Sequence, residues 1–367
     1  MLLFPTWYCS HVFTYTKRKV LMAKTKTTTS HYEVQKLRRA DWLQYWKDQH
    51  RSLVTEDSVE MIDTPRRTKR GVMVSADGGE PSLNLDANLH SIEPGVVSTI
   101  HRHSWDAFLF VLEGSGWTEV DGKRHEWRPW DTIYLPSFQW HRHGNDGDKP
   151  AKFASFSVQP MVELLGLAIL EDGGDTPFDE LPAAPVAAGG MNGDDPYSNR
   201  VQRLGDKTKA LAESRILTPY EDVPFKVTPR GARSGFLIDR TIGHATGGIT
   251  AVMHQLAPGL YQSRHRHGGE AWLYCVTGTG YSMVDDVRVD WKKGDLVVVD
   301  HWEWHQHFNA SDTEVASIIR IHNFDTLYYG MAAMLSPLNL FEELPTLDAP
   351  DVSGVDWPDV AAGRPSA

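Results

Sequence analysis

From Gly71 to Pro160 the chain runs in short apolar or alternating segments cut by Gly, Pro and Asp, among them residues 96–100 (Val-Val-Ser-Thr-Ile), 108–112 (Phe-Leu-Phe-Val-Leu) and 132–135 (Thr-Ile-Tyr-Leu). Short β-branched and aromatic runs bounded by turn formers predict strands. A series of them predicts an antiparallel barrel or jelly roll. A second such region opens near residue 204 and includes 249–253 (Ile-Thr-Ala-Val-Met) and 296–299 (Leu-Val-Val-Val). Ahead of the first, Leu37, Ala40, Leu43 and Trp46 recur with charges between them, which predicts an amphipathic helix over 31–56. Residues 161–170 predict a short apolar helix closing the first region, and 326–335 another after the second. The Gly-, Pro-, Ala- and Asp-rich stretch 171–203 predicts a linker, and the Pro- and Asp-rich end a loose tail. The expected fold is therefore all-β with two tandem barrels. Its parts are an upstream or disordered extension (1–30), a short N-terminal helical arm (31–65), a first barrel (66–170), the linker (171–203), a second barrel (204–345) and the tail (346–367).

The two barrels are copies. His101-Arg102-His103 returns as His265-Arg266-His267, 164 residues later. At the same offset Gly95 matches Gly259, Ala107 matches Ala271, Gly114 and Gly116 match Gly278 and Gly280, and Asp131 matches Asp295. Trp140, His141, His143 and Asn145 match Trp304, His305, His307 and Asn309. No gap is needed between Pro94 and Asn145.

Composition narrows the chemistry. A chain of 367 residues suffices for two cores. A formal charge of −11 argues against a nucleic-acid partner. Cys9 and Cys275 are the only cysteines, which leaves neither a disulfide framework nor a cysteine zinc site and points to the 17 histidines as metal ligands. No apolar run reaches the ~18 residues of a membrane span. The apolar residues 1–15 lack the basic start and small-residue cleavage site of a secretion signal. A cytoplasmic, homo-oligomeric enzyme without a membrane partner is the expectation.

On a strand, residues i and i+2 share a face, so His101 pairs with His103 and His265 with His267. Each pair is followed by a further histidine 38 residues beyond its second member, His141 and His305, with a hairpin's length between to bring it back. Three neutral imidazoles on one side of a first-row metal leave positions open for small molecules.

These residues resemble the two signature motifs of the cupin superfamily: Gly95 and the His101–His103 pair, then Pro136, Trp140, His141 and Asn145. A second set runs from Gly259 to Asn309. The chain as a whole is similar to bicupins. Its first copy, with Ala107 and Glu113-Gly114, resembles gentisate 1,2-dioxygenase-like ring-cleaving enzymes. The resemblance covers roughly residues 70–330. It implies a non-haem Fe(II) dioxygenase acting on O2 and a small aromatic substrate that chelates the metal, with the His101/His103/His141 copy as the catalytic one.

The chain departs from that family at two points. Both of its triads are complete, where the family typically keeps only the first. Leu109 and Leu273 stand where the family places an arginine for a substrate carboxylate. The carboxylate ligand of oxalate-acting cupins would fall on Phe108 and Trp272, neither of which can ligate. Asp106 and Glu270 are the acidic candidates for an additional ligand or a supporting contact.

His143 and His307 are candidates for proton transfer, the alternative being a structural role. Trp105, Trp140, Trp304 and Arg142 are candidates for substrate contact, against core packing for the tryptophans and a surface place for the arginine. The basic run from Arg66 to Arg70 reads as a solvated segment. A competing function on the same ligands is a Mn(II), Zn(II) or Ni(II) decarboxylase, isomerase or lyase of a small organic acid. A third is a binding or storage protein.

Overall fold

The computed structural model describes residues 51–75, 82, 84–183, 193–323, 348–357 and 363–366, with single positions between 33 and 48 that are helical and exposed. The expected extension (1–30) and the helix at 326–335 lie outside the described residues. Among the described residues strand structure begins at Leu53, so the helix read over 31–56 and the arm read to 65 are both too long.

The first copy comprises β1 (Leu53–Val54), β2 (Ile62–Asp63), β3 (Lys69–Val74), β4 (Asp86–Ile92), β5 (Ile100–His103) and β6 (Ala107–Glu113). It continues with β7 (Gly116–Val120), β8 (Lys123–Trp127), β9 (Thr132–Leu135), β10 (His141–Gly144), β11 (Ala151–Ser157) and β12 (Leu170–Gly174). The second comprises β13 (Leu217–Thr218), β14 (Lys226–Val227), β15 (Arg233–Ile238), β16 (Thr250–Leu256) and β17 (Ala271–Thr277). It ends with β18 (Thr279–Val284), β19 (Val287–Lys292), β20 (Leu296–Val299), β21 (His305–Asn309) and β22 (Ala316–His322). The first residues of β1 and β13 are 164 apart, as are those of β4 and β16, so the duplication extends well upstream of the sequence match.

Each copy closes a seven-stranded antiparallel sheet against a smaller one. The first large sheet runs β13-β9-β6-β11-β4-β3-β2 and the second β1-β20-β17-β22-β16-β15-β14. The outermost strands are therefore exchanged. β1 precedes the first copy yet pairs with β20, and β13 precedes the second yet pairs with β9. A domain boundary at 204 misses this, because a two-residue strand carries too little pattern to show which sheet it joins.

Strand β6 explains why the run 108–112 is apolar on both faces. Phe108 and Phe110 enter a core shared by the two large sheets, with Phe156, Trp272, Tyr274 and Ile319. Ala107, Leu109 and Val111 fill the first barrel's own interior with Trp127, Ile133 and Phe153. Fully burying one such Phe contributes about 1.5–3 kcal/mol. The turn glycines Gly114 and Gly278 sit at φ +73° and +80°. A Cβ there would lie 2.9 Å from the Cα of Ala151 and of Ala316, so only glycine closes these turns.

Three further expectations are corrected. The helix read over 161–170 is α1 (Gln159–Leu164), and Leu170 already opens β12. The linker read over 171–203 begins with β12 paired to β5 and ends inside α2 (Pro196–Ala212). Arg102 holds β12 in place through Glu171, at 2.6 Å. The tail is anchored at its end: the Arg364 guanidinium reaches the buried Asp131 carboxylate at 3.1 Å and also pairs with Glu221. Composition marks loops well, but it does not register a partner hundreds of residues away. Among the described residues, no helix is long and apolar enough to cross a membrane.

Candidate functional site

Strands β5 and β10 pair with His101 opposite His141, and the second copy reproduces this as a bridge between His265 and His305. His101, His103 and His141 come together as one cluster, and His265, His267 and His305 as another. Within each, the ligand nitrogens lie within 4.8 Å of one another. These two are the only groups of that kind among the described residues.

Backbone carbonyls set the rings. His103 Nδ1 donates to Trp105 O at 2.7 Å, and His141 Nδ1 donates to Gln139 O at 2.9 Å. In the second copy His265 Nδ1 donates to Ser263 O at 2.9 Å, and His305 Nδ1 to Glu303 O at 2.8 Å. A proton fixed on Nδ1 leaves the Nε2 lone pair free for a metal. Nε2 of His101 and His141 stand 3.1 Å apart, and His267 Nε2 is buried without a hydrogen-bond partner. The donor set fits a first-row divalent metal in both copies. Burial pushes His103 and His305 down to about 4, and His101, His141, His265 and His267 well below 6.5. All six are therefore uncharged near neutrality, as ligands must be.

His143 and His307 lie next to the clusters, their ring centroids 5.9 and 5.5 Å from those of His141 and His305. His143 Nδ1 meets Thr118 Oγ1 at 2.9 Å, and the Trp127 indole donates to that same hydroxyl at 3.0 Å. The second copy repeats the pattern with Ser282, at 2.8 Å from His307 Nδ1 and 3.1 Å from the Trp291 indole nitrogen. Burial holds His143 down to about 3 and His307 well below its ordinary value.

The acidic candidates are corrected. The Asp106 carboxylate accepts from Gly247 N at 2.7 Å, Gly248 N at 3.0 Å, Thr246 Oγ1 at 3.1 Å and Ser137 Oγ at 2.8 Å. Glu270 accepts from Ser82 Oγ at 3.3 Å and Asn84 N at 3.2 Å. Each acid thus holds a loop of the opposite copy and belongs to neither metal cluster. A bend separates each acid from its ligand pair, so strand alternation does not fix its direction, and the hydrogen bonds to the opposite copy do.

Of the substrate-contact candidates, only Trp105 lies against a triad, stacked on His103 at 4.6 Å. Trp140 donates to Pro182 O at 2.8 Å beneath the Arg102 guanidinium, clamping the segment after β12. Trp304 lies under Arg266, with 4.8 Å from guanidinium to ring centroid. Arg142 pairs with Glu119 at 2.8 Å. Trp140, Arg142 and Trp304 alternate with the inward histidines and so line the outer wall.

Arg66 was missed. Far from being merely solvated, it is partly buried, and its charge lowers His90, His101, His103, His141 and His143 together. Its repeat partner Arg230 acts in the same way on His254, His265 and His305. The signal was in the sequence: Arg66 and Arg230 share the 164-residue offset, which a randomly solvated cation has no reason to keep.

The cupin domain model matches this chain twice, over residues 88–158 and 252–321. The 1-hydroxy-2-naphthoate 1,2-dioxygenase of Nocardioides sp. (strain KP7) is 26% identical over 283 residues, covering 72% of this chain and 70% of its own. Gentisate 1,2-dioxygenase 1 of Aquipseudomonas alcaligenes is 28% identical over 272 residues, covering 69% of this chain and 76% of its own. In fold, the chain is similar to the crystal structure of a salicylate 1,2-dioxygenase from Pseudaminobacter salicylatoxidans. The TM-score is 0.51 at 20% identity, over 72% of this chain and 76% of that one. With two matched cupin domains, a duplicated barrel and a three-histidine cluster in each copy, the chain is a two-cupin protein similar to gentisate 1,2-dioxygenase-like ring-cleaving enzymes.

Proposed function

We propose that this protein is a non-haem Fe(II) dioxygenase that opens the ring of a small aromatic acid bearing a hydroxyl group beside its carboxylate. The observation that carries the reading is the first copy's cluster: His101, His103 and His141 present ligand nitrogens on one side of a buried site, with the Arg66 charge beside them. Ferrous iron, when held by these three residues, would relay electrons from the chelating substrate to O2 and so activate both for reaction. The chain's own residues do the rest. Arg66 takes the substrate carboxylate, replacing the arginine that Leu109 displaces. The apolar interior formed by Leu109, Val111 and Phe153 keeps water from the ring.

His143 handles the proton. Because the Trp127 indole already donates to Thr118 Oγ1, that hydroxyl can give its own proton to His143 Nδ1, leaving a proton on Nε2 for transfer. His307 stands in the same relation to Ser282 in the second copy. Trp105, stacked on His103, forms part of the site wall. The decarboxylase version of the competing reading is disfavoured because both positions for a carboxylate ligand, Phe108 and Trp272, are buried in the core between the sheets.

The test is metal quantification joined to O2 uptake with gentisate, salicylate and 1-hydroxy-2-naphthoate. Iron-dependent uptake that falls at least tenfold in kcat/KM in Arg66→Met supports the reading. Iron-loaded protein that consumes no O2 with any of them refutes it. We further propose a homo-oligomer, supported by the exposed apolar run Leu164, Leu165, Leu167, Ile169 and Leu170. Light scattering of the purified chain tests the oligomer.

A further inference from the structure

The second copy differs from the first on its interior face. Arg320, on β22, stands opposite Leu273 of β17 and Val252 of β16, so all three project to the same side of the sheet. Two residues back, Ile318 lies in the second barrel's interior core with Leu273. Two residues on, the His322 ring sits 4.7 Å from that of His267, and its Nε2 is 3.3 Å from His267 Nδ1. Arg320 therefore enters the second barrel beside the His265/His267/His305 cluster. It flanks the very position, Leu273, at which the sequence lacks an arginine.

Comparison of the copies shows that the Nε of this cation lacks the internal acceptor its counterpart has. In the first copy the position of Arg320 is held by Ser155, whose hydroxyl bonds His90 at 2.9 Å. The barrel-facing arginine there is Arg70, and its Nε donates to Asn88 at 2.9 Å. In the second copy the pattern is mirrored: Ser234 bonds His254 at 2.8 Å, and the arginine moves to 320. The residue that would satisfy it, at the place of Asn88, is Val252. Arg320 Nε is buried without a hydrogen-bond partner, while the residue as a whole stays partly exposed. The carboxylate whose field reaches Arg320, Asp239, is bonded to Thr241 N at 2.7 Å and Thr241 Oγ1 at 2.5 Å. The charge of Arg320 is felt by His254, His267, His305 and His322. A buried guanidinium with an unmet donor carries a desolvation cost that an incoming anion removes.

We propose that the second barrel is a carboxylate-binding site in its own right, in which Arg320 receives the carboxylate of a small 2-hydroxy acid whose hydroxyl oxygen turns toward the His265/His267/His305 cluster. This does not depend on the reading of the first copy. Each barrel would hold its acid by a cation from a different strand.

The experiment is calorimetric titration of salicylate into the chain loaded with Zn(II), which binds without turnover. Wild type is expected to take two salicylates per chain. Arg320→Met should remove one, with its affinity down about ten- to a hundredfold, and Arg66→Met the other. Should Arg320→Met fail to fold, Arg320→Lys keeps the charge but loses the fork, and should weaken the second site about tenfold with the first unchanged. Two undisturbed sites in Arg320→Met overturn the proposal, as does an unaltered second site in Arg320→Lys. A single wild-type site lost in Arg66→Met but kept in the Arg320 variants also overturns it and leaves the first-copy reading standing. A single site lost only in the Arg320 variants does the reverse.

Discussion

Replacing Asp106 tests whether the acid three residues after the ligand pair is an inter-copy clamp or a metal ligand. Its carboxylate is 4% exposed and accepts four hydrogen bonds, at 2.7–3.1 Å, three of them from residues 246–248 of the other copy. Hydrogen bonds to a charged group contribute about 1.5–3 kcal/mol each. Four such values simply added would exceed what deletions within one network cost, because the bonds share an acceptor and are not independent. Removing one side of a buried charged network costs about 3–5 kcal/mol, which is the expectation for Asp106→Ala. Asp106→Asn keeps the shape but loses the charge and turns an amide toward backbone donors, for about 1.5–3 kcal/mol. For a unit of this size, Asp106→Ala should lower Tm by roughly 6–10 °C. The assay is denaturant and thermal unfolding of metal-free protein, so that ion binding adds nothing, together with metal content measured separately. The clamp predicts lost stability with two ions still bound at saturating metal. Loss of one ion at an unchanged unfolding midpoint would refute it.

Three other outcomes follow from the sites. His103→Ala should lose one metal ion and all ring cleavage, and His267→Ala one ion with most activity kept; full activity in His103→Ala would reverse the assignment of the catalytic copy. Thr118→Val removes the hydroxyl shared by His143 and Trp127, and should lower kcat about ten- to a hundredfold with metal content unchanged, whereas Ser282→Ala should leave kcat unaltered; equal effects of the two would remove His143 from the mechanism. The metal-free protein should be acid-sensitive, because the buried imidazoles are held down to about 4 or lower while an unfolded chain takes protons near 6.5. The unfolded state then binds more protons, so stability is fully present above pH 6.5 and falls as the pH drops from there toward 4. An unfolding midpoint that does not move between pH 7 and pH 5 would contradict the burial of these rings.

The residues that sequence reading placed well are those whose position follows from strand parity alone. His101 with His103, and His141 with His143, face inward because they alternate, and repetition at one offset made each set hard to dismiss as surface histidine. Parity applied consistently would also have moved Trp140, Arg142 and Trp304 to the outer wall, since each sits between or beside inward histidines at an odd step. Arg66 and Arg320 lie beyond the reach of parity. Arg66 stands ahead of the first long strand, and its approach to the triad depends on the turn between β2 and β3. Arg320 matters only because β22 pairs with β17 in a register that sets it beside Leu273, and nothing within a single strand encodes that register.

The same limit hid the exchanged strands and the two acidic clamps, which are pairings between segments far apart in sequence. What duplication adds is a way past this limit. A pair of identical residues at the repeat offset, such as Arg66 and Arg230, points to a role shared by the copies. A mirrored pair points to a shared need met from opposite sides, as when Arg70 and Ser155 are answered by Ser234 and Arg320. The mirrored pair is the more informative. It keeps one arginine and one serine around each interior histidine, His90 or His254, and it leaves only Arg320 without the side-chain acceptor that Asn88 gives to Arg70. Selection for stability alone would favour an acceptor at position 252 as well; a valine there is what a site that takes its acceptor from a bound acid would retain.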